Sequence, residues 1–299
     1  MSPSKSQQHD LLKRRYRERR LAADADPTAE KLGLHLLMRT SEGQRVALVL
    51  AASHGLGLAA ARALARGGHD VMICGRDEAR LRAATAELSA LGTGVVGVRA
   101  DVSRLADIEK LYTRLDTEFG RLDVLVANAG GPPHGGFMEV TEQQWEEAFQ
   151  LTLMSAARSI RLAAERMRSN RFGRILVIGS SSTRRPIEGL ILSNTFRPAL
   201  VGMVKSLAQE LGPDGITTNM VSPGRLGGVR SRLLDERRAR LSGKTYEEVR
   251  TEEEAKIPAR RYGSPDDLAR LIAFLAHEDS GYINGQCLLV DGGLVTALP

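Results

Sequence analysis

Aromatic residues, cysteines and long apolar runs are all scarce in this chain of 299 residues. Aromatic side chains make up 4% of it, and its two cysteines, Cys74 and Cys287, lie far apart without a CxxC spacing or a nearby histidine cluster. We therefore predict no metal site and interpret both cysteines as small buried residues of a cytoplasmic protein. No run approaches the roughly 18 apolar residues that span a bilayer, so no membrane segment is expected.

Positive charge in excess is confined to the start of the chain. Residues 1–20 contain seven lysines and arginines against two acidic residues, which accounts for +5 of the net charge of +6. Such a leader can meet nucleic acid or an anionic membrane, but this one lacks interleaved aromatic residues and the apolar core of a signal peptide. We interpret residues 1–40 as a basic, flexible tail. The hypothesis of nucleic-acid binding rests on this tail alone.

From residue 45 onward, short apolar runs alternate with longer amphipathic stretches, which is typical of βαβ units and a parallel sheet. The predicted strands cover residues 45–51, 70–75, 94–100, 122–127, 174–180, 216–222 and 286–292. The predicted helices lie near residues 56–67, 77–91, 104–119, 141–169, 195–211 and 265–277. The pattern predicts an α/β fold with a doubly wound parallel sheet of about seven strands, in a single domain of residues 41–299.

One connection is much longer than the others. About 30 residues between Pro223–Gly224 and Ile257–Pro258 are dense in charges of both signs at helical spacing. Connections of this length are usually functional lids or disordered segments. Because this one follows a strand end, where ligands bind in such sheets, we predict a helical lid near residues 225–258. A disordered excursion is the alternative.

The first predicted strand runs directly into a turn and a helix, in the sequence AASHGLGLAAARALA. Gly55 and Gly57 occupy the second and third positions of a GxxxGxG pattern, and Ala51 replaces the first glycine. Glycines allow a tight turn and let the backbone approach a pyrophosphate, which the helix N-terminus then binds. Two glycines alone would also suit a turn that serves only packing. The predicted phosphate-binding residues are Ala51, Ser53, His54, Gly55, Leu56 and Gly57.

The second strand ends in Cys74–Gly75–Arg76, where an NAD site would place a carboxylate on the ribose 2′-hydroxyl. Here Gly75 leaves space and Arg76 offers a guanidinium suited to a 2′-phosphate, so the sequence favours NADP(H) over NAD(H) as cofactor. The alternative is that Arg76 is a solvated charge at a strand end. The further cofactor-binding residues predicted at later strand ends are Asp101, Val102, Asn128, Ala129, Gly130, Pro223 and Gly224.

Together these segments resemble the short-chain dehydrogenase/reductase family, and within it the 3-oxoacyl-(acyl carrier protein) reductase-like group. The resemblance extends from about residue 44 to residue 294, and its segments occur in the family's order: HGLG, ADVS, LVANAG, RILVIGS, KSLAQELGPDGITTNMVSPG and GQCLLVDGG. It implies a Rossmann-type sheet, a nicotinamide cofactor and a small-molecule carbonyl or alcohol substrate. It also implies a homo-oligomer, a tetramer or a dimer, built through the two long helices after strands four and five.

The catalytic residues of that family are an Asn, a Ser, a Tyr, and a Lys four residues after the Tyr. The resemblance puts Ser180 at the Ser position, Ser193 at the Tyr position, Arg197 at the Lys position and Thr152 at the Asn position. A serine hydroxyl is a much poorer acid than a phenol and arginine stays protonated, so the pair does not restore the proton relay. Loss of a general acid typically removes about 10²–10⁴-fold in rate. Arg197 is also expected to bond the nicotinamide ribose.

Pro198 follows these residues directly, and proline is best tolerated in the first turn of a helix. We therefore predict that this helix begins near Asn194 or Thr195, with Ser193 or Asn194 as its N-cap. Weaker candidates for a proton donor lie on two loops near Ser180; they are His134, Arg184, Arg185 and Glu188.

These residues predict an NADP(H)-dependent oxidoreductase acting on a carbonyl/alcohol pair, with Ser180 retained and an unconventional proton donor. The alternative is a non-catalytic NADP(H)-binding protein with a regulatory or scaffold role. NADPH consumption that falls in a Ser180→Ala variant would favour the enzyme. Tight cofactor binding without turnover would favour the alternative.

Overall fold

The computed structural model describes residues 44–297. Its sheet has seven parallel strands in the order β3-β2-β1-β4-β5-β6-β7. The first strand, β1, lies in the middle of the sheet; β2 and β3 extend from it to one edge, and β4 to β7 form the other half. The strands are β1 Val46–Val49, β2 Asp70–Gly75, β3 Val95–Arg99, β4 Val124–Ala127, β5 Gly173–Ile178, β6 Ile216–Pro223 and β7 Cys287–Val290. The predicted doubly wound α/β sheet is confirmed.

Nine α-helices within residues 44–297 accompany the sheet. They are α1 Gly55–Arg66, α2 Glu78–Ser89, α3 Leu105–Glu118, α4 Glu142–Ala148, α5 Ser155–Asn170, α6 Ile191–Leu211, α7 Val229–Ser242, α8 Tyr246–Ala255 and α9 Pro265–Ala276. Local sequence signals mark several starts: Ser264 and Asp267 form a capping box at α9, with Pro265 in its first turn. The single helix predicted over residues 141–169 is divided, because a π-helical segment, Phe149–Met154, joins α4 to α5.

Two apolar layers enclose the sheet because successive strand residues point to opposite faces. In β1, Leu48 packs into the cluster shared with α3, α5 and α6, whereas Ala47 and Val49 pack into the cluster shared with α1, α2 and α9. All four residues of β1 are fully buried, which explains why this strand reads as a continuous apolar run. The C-terminal ends of the strands meet at one edge of this core, and the candidate site lies there.

The start of α6 differs from the prediction. The helix begins at Ile191, so Pro198 lies in its interior and neither Ser193 nor Asn194 is its N-cap. Asn194 instead fixes the preceding chain, because its Oδ1 accepts from the Ile187 N–H at 3.1 Å and its Nδ2 donates to the Ile187 carbonyl at 2.8 Å. An interior proline costs a helix about 3 kcal/mol or more. Packing of this 21-residue helix against the core outweighs that cost.

Some sequence predictions fall outside the described residues or are only partly met. The basic tail of residues 1–40 lies outside the described range, so its predicted role stays a prediction. Burial raises the pKa of Cys74 to about 12, in agreement with an inert buried thiol. Cys287 is only half-buried, on the edge strand β7, so the same interpretation was wrong for it. Across residues 44–297, no helix combines the length and the apolar character needed to cross a membrane.

Candidate functional site

The turn between β1 and α1 brings several backbone groups into close contact. Ala51 has φ +47° and Gly55 has φ +63°, both left-handed, and this conformation costs a non-glycine residue about 1–2 kcal/mol. A Cβ atom at Gly57 would lie 2.7 Å from the Ala51 carbonyl oxygen and 2.8 Å from Asn128 Nδ2. The Asn128 amide donates to the Leu50 and Ala51 carbonyls at 3.2 and 3.1 Å. Ala51 thus adopts a glycine-like conformation, and only glycine fits at position 57.

The N-terminus of α1 suits a phosphate group. His54 is the N-cap residue, yet its side chain does not cap the helix; its Nδ1 lies 3.2 Å from Ser53 Oγ instead. Space is open beside Gly55, where an added Cβ would meet nothing within 4 Å. First-turn N–H groups without a side-chain cap carry partial positive charge and bind phosphates. The pyrophosphate of a dinucleotide therefore fits here, over Gly55 and the half-buried Leu56.

Three arginines surround an open cavity of about 400 Å³ at the ends of β2 and β3. Arg76 Nη1 lies 3.7 Å from Asp101 Oδ2, and Arg99 Nε donates to the Arg76 carbonyl at 3.3 Å. Burial opposes the charge on Asp101, but hydrogen bonds from Ser103 and the nearby Arg76 outweigh it and lower its pKa. The sequence prediction included Arg76 and missed Arg99 and Arg104, although both flank the ADVS segment. The residues lining the cavity are Arg76, Arg99, Ala100, Asp101, Arg104 and Asp107.

Two neighbouring predictions need correction. A Cβ at Gly75 would lie 2.8 Å from both Cβ and Oγ of Ser53, so the protein itself fills the space that we assigned to a ribose phosphate. Gly75 therefore serves the packing of β2 against the phosphate turn. Val102, predicted as a cofactor-binding residue, is 5% exposed and belongs to the core, so its side chain packs inside the protein and only its backbone is left to contact a cofactor.

Other predicted cofactor residues lie at the ends of β4 and β6. Asn128, Ala129 and Gly130 follow β4, directly beside the point where the strand order reverses between β1 and β4. At the end of β6, the Gly224 N–H donates to the Val290 carbonyl at 2.9 Å. A Cβ at Gly224 would lie 2.5 Å from Asp291 Cβ, so this position also requires glycine. Ligands of doubly wound sheets bind at this edge, next to the reversal.

Ser193 and Arg197 lie one turn apart on α6 and contact each other. Arg197 Nε donates to Ser193 Oγ at 3.2 Å, and Arg197 Nη1 donates to the carbonyls of Ile178 and Gly179, both at 3.0 Å. Ser193 is buried, with 3% of its surface exposed. Arg197 thus ties α6 to the end of β5, immediately before Ser180.

Ser180 opens a short 3₁₀ segment, Ser181–Thr183, at the end of β5. Its Oγ accepts a hydrogen bond from the Ser182 N–H at 3.1 Å. A hydroxyl that accepts one hydrogen bond still has its own proton to donate to a ligand. Ser180 is half-buried, which is compatible with a ligand oxygen approaching it.

Thr152 lies in the π-helical segment between α4 and α5, and π-turns are found frequently at functional sites. Its side chain is buried, with 4% exposed, and its Oγ1 has no hydrogen-bond partner among the described residues. It faces a small cavity of about 10 Å³. The residues lining this cavity are Leu50, Ala127, Asn128, Ala129, Thr152, Ser155, Ala156, Val177, Ile178, Arg197 and Leu200.

The tyrosines within residues 44–297 belong to other parts of the structure. Tyr112 is buried on α3 and donates to the Ser159 carbonyl at 2.6 Å. Tyr246 begins α8, and Tyr282 is fully exposed before β7. The fourth, Tyr262, is buried beneath the lid helices. The segment from Ser180 to Arg197 and the lining of the cavity beside Thr152 therefore contain hydroxyl, amide and guanidinium groups without a phenol.

The loop after β4 carries His134 and is joined to the start of α6. The Gly135 N–H donates to the Gly189 carbonyl at 2.8 Å, and the Ile191 N–H donates to the Gly135 carbonyl at 3.3 Å. His134 is half-buried on this loop. The other weak candidates, Arg184, Arg185 and Glu188, are exposed on the neighbouring loop.

The predicted lid segment contains two helices, α7 and α8, which a buried ionic network holds to the end of β6. Asp235 is fully buried and accepts from Arg225 Nη1 at 2.7 Å and from the Tyr262 hydroxyl at 2.9 Å. Arg225 Nη2 also pairs with Glu253 at 2.7 Å, and Arg238 pairs with the same carboxylate at 2.5 Å. Removing one partner of such a buried pair is strongly destabilising. Arg225, which follows β6, therefore holds both helices through buried ion pairs.

Large apolar side chains are exposed on two segments that follow strand ends. Phe137 and Met138, on the loop after β4, are 68% and 91% exposed, and Val229 and Leu233, at the start of α7, are 72% and 57% exposed. Gly228, just before α7, has φ +151°, which glycine adopts more readily than other residues. Exposed apolar patches mark binding surfaces. These side chains are suited to contact an apolar part of a ligand.

Known proteins resemble this chain over most of its length. A family model described as Enoyl-(Acyl carrier protein) reductase matches residues 50–295. Dehydrogenase/reductase SDR family member 4 of Mus musculus is 32% identical over 266 residues, or 88% of this chain and 91% of that protein. The 3-oxoacyl-[acyl-carrier-protein] reductase MabA of Mycobacterium tuberculosis is 32% identical over 250 residues, or 84% of this chain and 92% of that protein.

Solved structures give the same result. A crystal structure of actinorhodin polyketide ketoreductase with NADPH matches with a TM-score of 0.82 at 30% identity, covering 85% of this chain and 98% of that one. The chain belongs to the short-chain dehydrogenase/reductase family and is 3-oxoacyl reductase-like. It is thus an oxidoreductase of the ketoreductase type, and the predicted family is confirmed.

Proposed function

We propose that this protein is an NADP(H)-dependent oxidoreductase acting on a carbonyl/alcohol pair, with Ser180 as the residue that polarises the carbonyl oxygen. The observation that carries this proposal is the hydrogen bond from the Ser182 N–H to Ser180 Oγ at 3.1 Å, which leaves the Ser180 hydroxyl as a donor at the ligand-binding edge of the sheet. The nicotinamide, when bound, supplies or accepts hydride. Donors placed where negative charge develops are the main catalytic contribution of such a site.

The proposed cofactor rests on positively charged side chains and on backbone N–H groups without a side-chain cap. The uncapped first turn of α1 suits the pyrophosphate, and the guanidinium groups of Arg76, Arg99 and Arg104 suit a 2′-phosphate. NADP(H) is therefore preferred to NAD(H), and the related ketoreductase crystallised with NADPH supports this choice. The remaining proposed cofactor contacts are Ala51, Ser53, His54, Gly55, Leu56, Gly57, Asp101, Val102, Asn128, Ala129, Gly130, Arg197, Pro223 and Gly224.

The proposed substrate class rests on the residues at the catalytic positions, on exposed apolar side chains and on the names of related proteins. Ser193, Arg197 and Thr152 occupy the proposed positions of the family's Tyr, Lys and Asn, so turnover of simple ketones should be slow. The names of the relatives point to 3-oxoacyl and polyketide substrates, and the exposed Phe137, Met138 and Val229 fit an apolar chain. The helices α7 and α8 would act as the lid over it.

Assembly into a homo-oligomer, a dimer or tetramer, belongs to the same proposal. Phe274 on α9 is 52% exposed and Tyr282 before β7 is fully exposed, and the edge strand β7 is half-buried throughout. A second copy would cover this apolar edge, in addition to the interface through the long helices α5 and α6 that the resemblance implies. Sedimentation of the purified chain measures this directly, and a monomer at micromolar concentration would contradict it.

The Ser180→Ala variant tests the catalytic part. We expect kcat/KM for NADPH consumption with a carbonyl substrate to fall about 10²–10³-fold, the usual effect of removing one such donor, while NADPH affinity is retained. Ser206→Ala is the matched control, because the Ser206 hydroxyl donates to the Gly202 carbonyl on the exposed side of α6. Unchanged turnover in Ser180→Ala would contradict the proposed role.

A non-catalytic NADP(H)-binding protein with a regulatory or scaffold role is the second candidate. The pairing of Arg197 with Ser193 favours it, because neither group releases a proton near neutral pH. This candidate predicts tight NADPH binding without turnover of carbonyl compounds. It also predicts that a Ser193→Tyr, Arg197→Lys double variant gains activity.

A further inference from the structure

The two ends of the lid segment are bonded to each other. The Gly227 N–H, before α7, donates at 2.7 Å to the carbonyl of Gly263, which follows the lid. The Gly263 N–H donates in turn to the Arg225 carbonyl at 3.0 Å. The strand end beside them is also fixed, because the Gly224 N–H donates to the Val290 carbonyl of β7 at 2.9 Å. The segment therefore starts and ends at one closed base, which prevents it from swinging on a single linker.

Charged side chains attach both helices to this base. Arg225 Nη1 and Nη2 pair with Asp235 of α7 and Glu253 of α8, both at 2.7 Å. Burial opposes the charge on Glu253, but a hydrogen bond from Lys256 and the nearby arginines outweigh it and lower its pKa, so the carboxylate stays charged at neutral pH. The Tyr262 hydroxyl donates to the second oxygen of Asp235 at 2.9 Å. Each helix thus contributes one carboxylate to an arginine at the end of the sheet.

Apolar contacts add a third attachment, after the end of α8. Ile257 is 1% exposed, and a Cβ at Gly292 would lie 2.8 Å from its Cγ2. Pro258 packs in the same way against Gly293, and the Ala259 N–H donates to the Gly292 carbonyl at 3.1 Å. Both glycines follow β7. Undocking of the lid would expose the Ile257 side chain to water, which the hydrophobic effect opposes.

The partners in all three attachments belong to the protein itself. Lids that close over a ligand are usually drawn from the least stable parts of a protein, where few contacts are buried. This segment instead has a closed base, buried ion pairs and a buried apolar contact. Breaking one partner of a buried ion pair is strongly destabilising, so the two helices are not expected to leave the sheet readily.

We propose that α7 and α8 stay docked on the ends of β6 and β7 whether or not a dinucleotide is bound. They form a fixed wall of the candidate site, and ligands enter and leave without undocking of either helix. Because the wall is in place before a ligand arrives, binding carries no cost of ordering the lid. The inference goes beyond the proposed function, and the docking itself does not depend on that function.

Hydrogen–deuterium exchange of the full chain without added dinucleotide tests the docking. We expect the backbone amides of α7 and α8 to exchange at least about 100-fold more slowly than those of an unstructured peptide, as amides in docked helices do. The core helix α9 is the internal reference for a docked helix. Weaker protection of α7 and α8 would overturn the inference, whatever the protein binds.

Saturating NADPH tests whether the docking is independent of a ligand. A ligand shifts only an equilibrium between states that it binds differently, so we expect the exchange rates of α7 and α8 to change by less than about twofold. A larger decrease would show that the ligand closes the lid, and would overturn the inference. If a fluorescence titration shows that NADPH does not bind, the proposed function is contradicted, while exchange without dinucleotide still decides this inference.

Two tyrosine variants test the contact that holds α7. Tyr262→Phe keeps the ring under the Arg250 guanidinium but removes the hydroxyl that donates to the buried Asp235, so α7 should exchange about 10-fold faster. Tyr246→Phe is the matched control, because its hydroxyl accepts from Arg250 of the same helix at 3.4 Å, and α7 exchange should stay unchanged. Unchanged exchange in β1 shows that each variant remains folded. Equal exchange of α7 in both variants would contradict the proposed docking.

Discussion

The turn after β1, our proposed phosphate site, and the residues around Ser180, our proposed reaction centre, lie at the same edge of the sheet, but different contacts hold them. In the turn, Gly57 faces a backbone carbonyl of Ala51 and the amide of Asn128, so any larger residue would collide with atoms that cannot move away. In the reaction centre, Arg197 and Ser193 are joined by side-chain hydrogen bonds. Backbone packing admits one residue type, whereas a side-chain pair can be exchanged for another pair of suitable length and charge. Under the proposed alignment, this difference explains how Gly57 is kept in the turn while Ser193 and Arg197 replace the family's Tyr and Lys.

The largest expected effect comes from disturbing the turn. Gly57→Ala would place Cβ 2.7 Å from the Ala51 carbonyl oxygen, and overpacking of this kind typically costs about 1–3 kcal/mol. We expect NADPH binding to be lost and the free energy of unfolding to fall by that amount, measured by fluorescence titration and by urea denaturation. Gly202→Ala is the control, because a Cβ on this exposed glycine of α6 would meet nothing within 4 Å and alanine suits a helix, so neither quantity should fall. Equal behaviour of the two variants would contradict the steric account of the turn.

Arg76→Ala tests the arginine-lined cavity at the ends of β2 and β3. A hydrogen bond to a charged group is worth about 1.5–3 kcal/mol, so NADPH affinity should fall about 10–100-fold while NADH affinity stays within about twofold. Arg80→Ala is a suitable control, since Arg80 is an exposed arginine of α2 that faces Asp77. Equal loss of NADPH and NADH affinity would show that Arg76 does not recognise the 2′-phosphate.

Thr152→Val tests whether the buried Thr152 hydroxyl lacks a hydrogen-bond partner, with the free energy of unfolding as the measurement. A buried hydroxyl without a partner costs about 1–3 kcal/mol, so its replacement by an isosteric methyl group should raise the free energy of unfolding by about 1 kcal/mol. Ser155→Ala is the matched comparison: its hydroxyl donates to the Leu151 carbonyl at 2.5 Å, so its loss should lower stability by about 1 kcal/mol. Destabilisation by Thr152→Val would mean that a ligand or solvent partner satisfies the hydroxyl in solution.

Ala51→Gly has the smallest expected effect. The left-handed conformation at φ +47° costs alanine about 1–2 kcal/mol, and glycine would avoid this cost. Glycine also has greater freedom in the unfolded chain, which offsets about 0.5–1 kcal/mol of that stabilisation. A rise of roughly 0.5 kcal/mol in the free energy of unfolding should follow. Ala52→Gly, at a fully buried position without a positive φ, should instead destabilise the protein. A loss of stability in Ala51→Gly would show that the turn is not strained.

Much of the fold could be predicted from the sequence, because several of the buried parallel strands, such as β1 and β4, are short continuous apolar runs. The run at residues 70–75 matches β2 at both ends, and the capping residues before α9 mark its start. The start of α6 could not be predicted from local rules: Pro198 indicated a first turn near Asn194, but tertiary packing extends the helix back to Ile191. The π-helical segment around Thr152 likewise carries no local signal that we identified.

For the site, the sequence alone determined which chemical groups are present: glycines at 55 and 57, an arginine after β2, and a serine and an arginine one turn apart on α6. Only the tertiary structure decided what surrounds each of them. Ser53 occupies the space beside Gly75, and the carbonyls of Ile178 and Gly179 hold Arg197. The physical reason is that residue type and spacing follow from the chain itself, whereas a collision or a hydrogen bond depends on atoms brought together from distant parts of it.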